Sequence, residues 1–339
     1  MSQSLVYRDC PVCDGNAAQP HWQKGDLRLV RCGNCRMVYA NPVPSEMASG
    51  EFYDAAGQDY YLSPAKLESD YADVRFEREL RLFRKYCPRG AVLDVGCSSG
   101  AFLFQLRKRW PTDYQVLGTD VSGPPLDYAE SRGVPVMRGD FLGTDFNAAV
   151  ASATKPTTHR DPLPIGFGER GRRPGEESSP AAPFDAVTFW AVIEHLAEPK
   201  RFLAQAHSVL KPGGFCFVLV PNLRSLAARL LGVKYRYVYA QHLNYFSAQT
   251  LEQLGVRAGF EIVTIRFTHF NPFVIWQDWR SGGREVSNAE RGELLRQSTA
   301  MKQKAWIRPV KLLYGLAERT LATIELADNV VVVLRKPSS

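Results

Sequence analysis

Four cysteines near the start form two knuckles, Cys10-Pro11-Val12-Cys13 and Cys32-Gly33-Asn34-Cys35, with 18 residues between them. Tetrahedral zinc takes four thiolates, and a two-residue spacer brings each pair of sulfurs onto one metal. Two disulfides are the competing use of these residues, disfavoured in a reducing compartment. A second set of reactive groups follows. Val92-Leu93-Asp94-Val95-Gly96-Cys97-Ser98-Ser99-Gly100 is an apolar run, an acid and a glycine turn, and apolar Ala101-Phe102-Leu103-Phe104 comes next. The glycines permit positive φ and let a ligand approach bare backbone at a helix N-terminus. Many strand-turn-helix units need such glycines for backbone reasons alone, so the turn by itself assigns nothing. Further on stand Glu194-His195 and His242, side chains that can hold or move a proton.

These groups need elements to carry them. Residues 66–86 read as an amphipathic helix, with Phe76, Leu80 and Phe83 on one face. Val92–Val95 is a first strand, and Val116-Leu117-Gly118-Thr119-Asp120 a second that ends in an acid. A nucleotide-binding α/β fold places such an acid against a ribose hydroxyl pair. Val134–Met137 is a third strand, followed by Asp140-Phe141, which suit the edge and face of an adenine. Phe184–Trp190 is a fourth and leads into Glu194-His195. Lys211-Pro212-Gly213-Gly214 turns the chain into a fifth, Phe215–Val220. A helix (Leu223–Leu231), a tyrosine-rich loop (Tyr235 to Phe246) and a helix capped by Ser247 and ending at Gly259 follow. Glu261–Ile265 and Asn329–Leu334 are strands six and seven.

In this order, and above all in the Lys-Pro-Gly-Gly turn before strand five, the chain resembles the class I S-adenosylmethionine-dependent methyltransferases. The resemblance covers about residues 66–267 and the terminal strand. It implies an α/β fold: a Rossmann-like seven-stranded sheet with helices on both faces, plus a small N-terminal zinc ribbon. It also implies S-adenosyl-L-methionine as cofactor. Asp94, Gly96, Cys97 and Gly100 would line its methionine end, Asp120 and Val121 its ribose, and Asp140 and Phe141 its adenine. Trp190 would lie beside the sulfonium. The family often has Gly where this chain has Ser98.

The acceptor half is expected around Glu194, His195 and His242. The ubiquinone-pathway O-methyltransferases, similar here, carry Glu-x-x-Glu-His, which some use for a divalent metal. This chain has Ala191-Val192-Ile193-Glu194-His195, without the first carboxylate. Tyr239-Ala240-Gln241-His242 resembles the Tyr-x-Glu-His stretch of zinc-bearing sugar C-methyltransferases, where a base removes a proton next to a keto group. Gln241 replaces the Glu. The expectation is that His242, more than His195, touches the acceptor, with a pKa near neutrality if it acts as a base.

The expected organisation is a zinc ribbon at 8–40, a linker at 41–65 and a methyltransferase domain at 66–339. The ribbon is expected to be separate, so that its loss spares cofactor binding. Residues 147–183, rich in Pro, Gly, Ser and mixed charge, read as a disordered insertion, and 268–327 as a mostly helical lid. Phe267, Phe270, Phe273, Trp276 and Trp279 would pack that lid. Its basic stretch from Lys302 to Lys311 would be a solvated face, a membrane contact being the alternative. Cys87, Cys97 and Cys216 read as packing residues.

A net charge of +7 on 339 residues permits acidic partners without selecting one. No stretch of about 18 apolar residues occurs, and the polar start lacks a signal-peptide core, so a cytoplasmic protein is expected. The ribbon's lead-out, Cys32 through Pro42, resembles the N-terminus of methyltransferases of sugar and secondary-metabolite pathways. The expected function is methylation of a small-molecule acceptor (a sugar, nucleotide-sugar, glycan or secondary metabolite) on O or C. An RNA base methyltransferase is the first alternative, against which the ribbon is poor in clustered Lys and Arg. A non-catalytic zinc and cofactor-binding module is the second. A nicotinamide dehydrogenase does not fit the Lys-Pro-Gly-Gly turn.

Overall fold

The computed structural model describes residues 4–50, 52, 60–146, 183–284, 287–303 and 308–338. Runs of β-branched and aromatic residues form a central seven-stranded sheet. Its strands are β6 (Gly90–Val95), β7 (Tyr114–Asp120), β8 (Val136–Arg138), β9 (Phe184–Trp190), β10 (Leu210–Pro221), β12 (Glu261–Thr268) and β13 (Asn329–Arg335). The spatial order is β12-β13-β10-β9-β6-β7-β8. β6 to β10 pair in parallel, and β13 runs antiparallel between β10 and β12. The order reverses between β6 and β9, and ligands bind at such a switch point, outside the carboxyl ends of the strands.

Helices cover both faces, which is why the central strands are mainly apolar; α5 (Gly123–Ser131) follows β7 and α7 (Leu226–Leu231) follows β10. On one face α3 (Glu77–Tyr86) and α4 (Ala101–Arg109) bury Leu80, Phe83, Phe102 and Leu106 against Val92, Ala186 and Phe217. On the other, α6 (Pro199–Val209) and α8 (Ala248–Arg257) bury Leu203, Ala206, Leu251 and Leu254 against Leu93, Val187 and Val218. The Lys-Pro-Gly-Gly turn is locked at its last glycine. A Cβ on Gly214 would lie 2.9 Å from the Lys211 carbonyl and 3.1 Å from that of Asp185. Asp185 ties the turn to β6, accepting from Lys211 Nζ and the Ala91 amide at 2.8 Å each.

Two expectations need correction. The single helix over 66–86 is two, α2 (Pro64–Asp70) and α3, separated by a turn at whose start the Tyr71 hydroxyl donates to the Ser99 carbonyl at 2.5 Å. The ribbon is also not separate. Its hairpin, β2 (Ala18–Lys24) and β3 (Leu27–Cys32), continues through β4 (Val38–Ala40) into β11 (Asn244–Tyr245), a strand from the loop after β10. Pairing with β11 satisfies the free edge of β4. Met37 and Tyr39 are fully buried in the layer that holds Phe189, Ile193 and Phe246. The linker has structure as well: β5 (Val43–Pro44) pairs with β1 (Leu5–Val6), and α1 spans Ser45–Ser49.

Between β12 and β13 lie three helices, α9 (Pro272–Arg280), α10 (Asn288–Gln303) and α11 (Arg308–Thr323), on which the helical lid was expected. The insertion expected at 147–183 lies, but for Pro183, outside the described residues, as do residues 304–307 of the basic stretch. Among the described residues, no helix is long and apolar enough to cross a membrane.

Candidate active site

The glycine turn after β6 is held by sterics and by one carboxylate. Gly96 and Gly100 take φ of +69° and +72°. A Cβ on Gly96 would lie 2.7 Å from Val192, and one on Gly100 2.9 Å from Ala129, so both positions exclude a side chain. Ser98 enters the left-handed region at φ +50° despite its side chain, a conformation that costs about 1–2 kcal/mol. Its amide is fixed there by donating to Asp120 Oδ2 at 2.8 Å, while Oδ1 accepts from the Ser122 amide at 3.1 Å. Asp120 is thus both the acid at the end of β7 and the clamp on the turn.

Asp94 is buried and accepts from Thr188 Oγ1 at 2.6 Å. Burial, with a smaller push from Asp120, raises its carboxyl to about 7, against the pull of the Thr188 bond. Burial raises Asp120 also. Neither acid pairs with a cation among the described residues. One buried and one half-buried acid beside bare glycine backbone suit a ligand that carries both cationic and hydroxyl groups, as S-adenosylmethionine does.

The other expected cofactor residues divide. Val121 is exposed and Asp140 lies at the surface, its Oδ1 accepting from the Leu142 amide. Three side chains point into the core instead. Phe141 packs among Phe146, Phe189 and Phe202, so only its backbone can face a ligand. Cys97 lies against Gly118, and burial pushes its thiol well up, so it stays neutral. The Trp190 indole packs on Phe102, with ring centroids 5.0 Å apart, in the layer of α3 and α4.

On the acceptor side, two loops meet. The turn after β9 carries Glu194 and His195, and the loop after β10 carries His242. Glu194 is 1% exposed, its Oε2 has no hydrogen-bond partner among the described residues, and burial pushes its carboxyl to about 8. His195 Nδ1 lies 2.9 Å from the Gln241 carbonyl. A carbonyl only accepts, so Nδ1 carries the proton and Nε2 keeps its lone pair. Burial lowers His195 to about 4 and holds His242 well below its ordinary value, with His195 adding to the latter. Both rings are neutral, which corrects the expectation of a near-neutral pKa at His242.

The His242 ring sits among Tyr237, Tyr239 and Tyr245, with centroids 6.0, 4.4 and 6.2 Å away. Donor atoms of Glu194, His195 and His242 all lie within 4.8 Å of one another, a set that can hold a divalent ion. Two residues escaped the sequence reading. Arg291 of α10 places its guanidinium 4.1 Å from the centre of the Tyr239 ring. Tyr61 lies within electrostatic reach of Tyr239, Asp120 and Glu194, residues of both halves. Tyr61 falls in the expected linker, where Tyr60-Tyr61-Leu62 is an aromatic run, and no local pattern marks Arg291.

The four ribbon cysteines converge without disulfides. Cys10 and Cys35 sulfurs are 3.4 Å apart, Cys13 and Cys32 3.5 Å, and all four lie within 4.8 Å of one another. Such a set of thiols fits one tetrahedral zinc.

Comparison with known proteins agrees with this geometry. A family model described as a methyltransferase domain matches residues 70–265. The ubiquinone biosynthesis O-methyltransferase of Ruegeria pomeroyi is 27% identical over 268 residues, 72% of this chain and 92% of that protein. The protein of the same name from Dinoroseobacter shibae is 26% identical over 259 residues, 71% of this chain and 89% of its own. Among solved structures, a 1,6-didemethyltoxoflavin-N1-methyltransferase of Burkholderia thailandensis, with bound 1,6-didemethyltoxoflavin and S-adenosylhomocysteine, is 14% identical. It has a TM-score of 0.48 and covers 94% of this chain and 100% of that one. The family match spans the sheet from before β6 into β12, more than half of the chain, and so this chain belongs to the class I S-adenosylmethionine-dependent methyltransferases.

Proposed function

We propose that the enzyme methylates a small-molecule acceptor, a sugar, nucleotide-sugar, glycan or secondary metabolite, on oxygen or carbon. The observation that carries this reading is the meeting of His195 and His242, edge to face at 4.7 Å, inside a tyrosine-lined site. Tyrosines around a buried imidazole suit a polar ring better than a long nucleic acid strand. The names of the two relatives, as ubiquinone biosynthesis enzymes, also support a small acceptor.

Bound S-adenosylmethionine supplies a methyl group on a positively charged sulfur. Asp120 and Val121 would hold its ribose, Asp94 and the glycine turn its methionine end, and Asp140 with the Phe141 backbone its adenine. The remaining work is alignment of the acceptor for in-line attack. His242, neutral and with a lone pair, takes the proton that the acceptor loses. A buried imidazolium needs a counter-charge, and Glu194 provides it when ionised. His195, fixed by Gln241, holds the other wall.

A second reading has Glu194, His195 and His242 hold a divalent ion, supported by their convergence. Elemental analysis decides: two metals per chain favour it, and one that disappears with the ribbon cysteines removes it. We also infer one structural zinc on Cys10, Cys13, Cys32 and Cys35, and a cytoplasmic site of action, in keeping with seven unbridged cysteines.

The test is to incubate the protein with methyl-labelled S-adenosylmethionine and fractionated extract. Label in a small-molecule fraction is the expected result, and label in RNA would overturn the acceptor class.

A further inference from the structure

We propose that Asn244 is the positioning residue of the acceptor side, and that Arg8 couples it to the metal ribbon. The ribbon then forms part of the scaffold that sets Glu194 and His195 against His242. The inference rests on the acceptor-side reading of those three residues and goes beyond it.

The turn after β9 and the loop before β11 are irregular backbone, whose polar groups need partners from elsewhere. Asn244 supplies them. It is 1% exposed. Its Nδ2 donates to the carbonyls of Ile193 at 3.0 Å and Leu196 at 2.6 Å, which flank Glu194-His195. Its backbone amide and that of Leu243 donate to the Glu194 carbonyl at 2.9 and 2.8 Å. One residue therefore pins the turn that carries two acceptor-side groups to the loop that carries the third. A carboxylate in its place would lose both side-chain donors and face two carbonyls.

The remaining amide oxygen, Asn244 Oδ1, accepts from Arg8 Nη2 at 2.5 Å, and the same nitrogen reaches the Leu243 carbonyl at 3.3 Å. Arg8 stands two residues before Cys10. It is anchored there by Asn41, whose side chain bonds the Arg8 backbone in both directions at 3.1 Å. The guanidinium lies over the Tyr39 ring, 5.4 Å from its centre, and Tyr39 pairs with Asn244 across the β4–β11 ladder. The ribbon thus reaches Asn244 twice, through the ladder and through Arg8. Removing the Arg8 head leaves the ladder in place, so its effect reads the second path.

The test uses the full zinc-bound chain with its histidine rings labelled in nitrogen-15; six histidines make a tractable spectrum. Ring signals of His195 and His242 are recorded for Arg8→Ala, Arg8→Lys and Asn244→Ala, and S-adenosylhomocysteine affinity is measured by calorimetry. Arg8→Ala should move both signals while affinity stays within about threefold, since the bonds of Arg8 and Asn244 run to Leu243, Ile193 and Leu196, outside the glycine turn. Arg8→Lys should move them less than Arg8→Ala, because an ammonium can still donate to Asn244 Oδ1 but lacks the planar group that lies over Tyr39. Asn244→Ala should move both signals further; if it fails to fold, the Arg8 pair decides. Unmoved signals in folded Arg8→Ala, or equal displacement in Arg8→Lys, would overturn the coupling. Failure of the acceptor reading shows separately, as unchanged methyl transfer in His242→Asn with the signal shifts retained.

Discussion

His195 and His242, 47 positions apart in the chain, meet edge to face with ring centroids 4.7 Å apart and interplanar angle 76°. Each comes from a loop at the carboxyl end of a different sheet strand. Burial keeps both neutral, so the pair presents lone pairs, not positive charge, to whatever enters.

Asp120 should be needed twice over. Asp120→Ala is expected to weaken S-adenosylhomocysteine binding by about 1–3 kcal/mol through lost charge-assisted hydrogen bonds. It should also release the Ser98 amide from its left-handed position. Asp120→Asn keeps an acceptor for that amide and should lose less. Calorimetry on the two folded variants checks the order, and equal affinities in both and in wild type would remove Asp120 from the site.

Asp94 makes stability and binding depend on pH in opposite directions. Its carboxyl stands at about 7 in the fold, against about 4 when unfolded. Between these values the folded chain holds the extra proton, so the Asp94 contribution to stability falls as pH rises through that window, and the loss is complete above 7. A cationic ligand favours the ionised form, so S-adenosylmethionine affinity should rise with pH through 7. Asp94→Asn should flatten both dependences. Taking wild type minus variant cancels the contributions of Glu194 and His195. A difference that does not vary with pH would mean that Asp94 is ionised throughout.

One zinc per chain is expected by elemental analysis of freshly purified protein. Replacing Cys10 and Cys13 together should abolish it, and the thermal midpoint should fall, because β4 shares a sheet with β11. Zinc retained in that double variant would contradict the assignment. An unchanged midpoint would show that the ribbon's packing on the sheet carries little stability.

Much of this was legible in the sequence. The strands around Val92–Val95 and Asn329–Leu334, the Ser247 cap and the cysteine knuckles all follow from local periodicity, capping and spacing, which act over a few residues. The sulfurs and the glycine turn came out as expected. What escaped depends on contacts distant in the chain. Phe141 looks like a ligand-facing aromatic until Phe146, Phe189 and Phe202 are seen around it. The ribbon looks separate because nothing local marks Asn244-Tyr245 as a strand for β4. The turn between α2 and α3 is tied to Ser99, 28 positions on, through the Tyr71 hydroxyl. Neutral His242 follows from burial, to which its own loop's tyrosines and the distant His195 both contribute rings.

The measurement that tests the account most directly pairs two readouts on His242→Asn. One is transfer of labelled methyl from S-adenosylmethionine to the acceptor found in extract, and the other is S-adenosylhomocysteine affinity by calorimetry. Turnover should fall by about 10²–10⁴-fold if the acceptor must lose a proton, or acceptor KM should carry most of the loss if it need not, with cofactor affinity unchanged in either case. Normal kinetics on the true acceptor, in a variant that binds S-adenosylhomocysteine as wild type does, would contradict it and leave His242 a packing residue of the tyrosine loop.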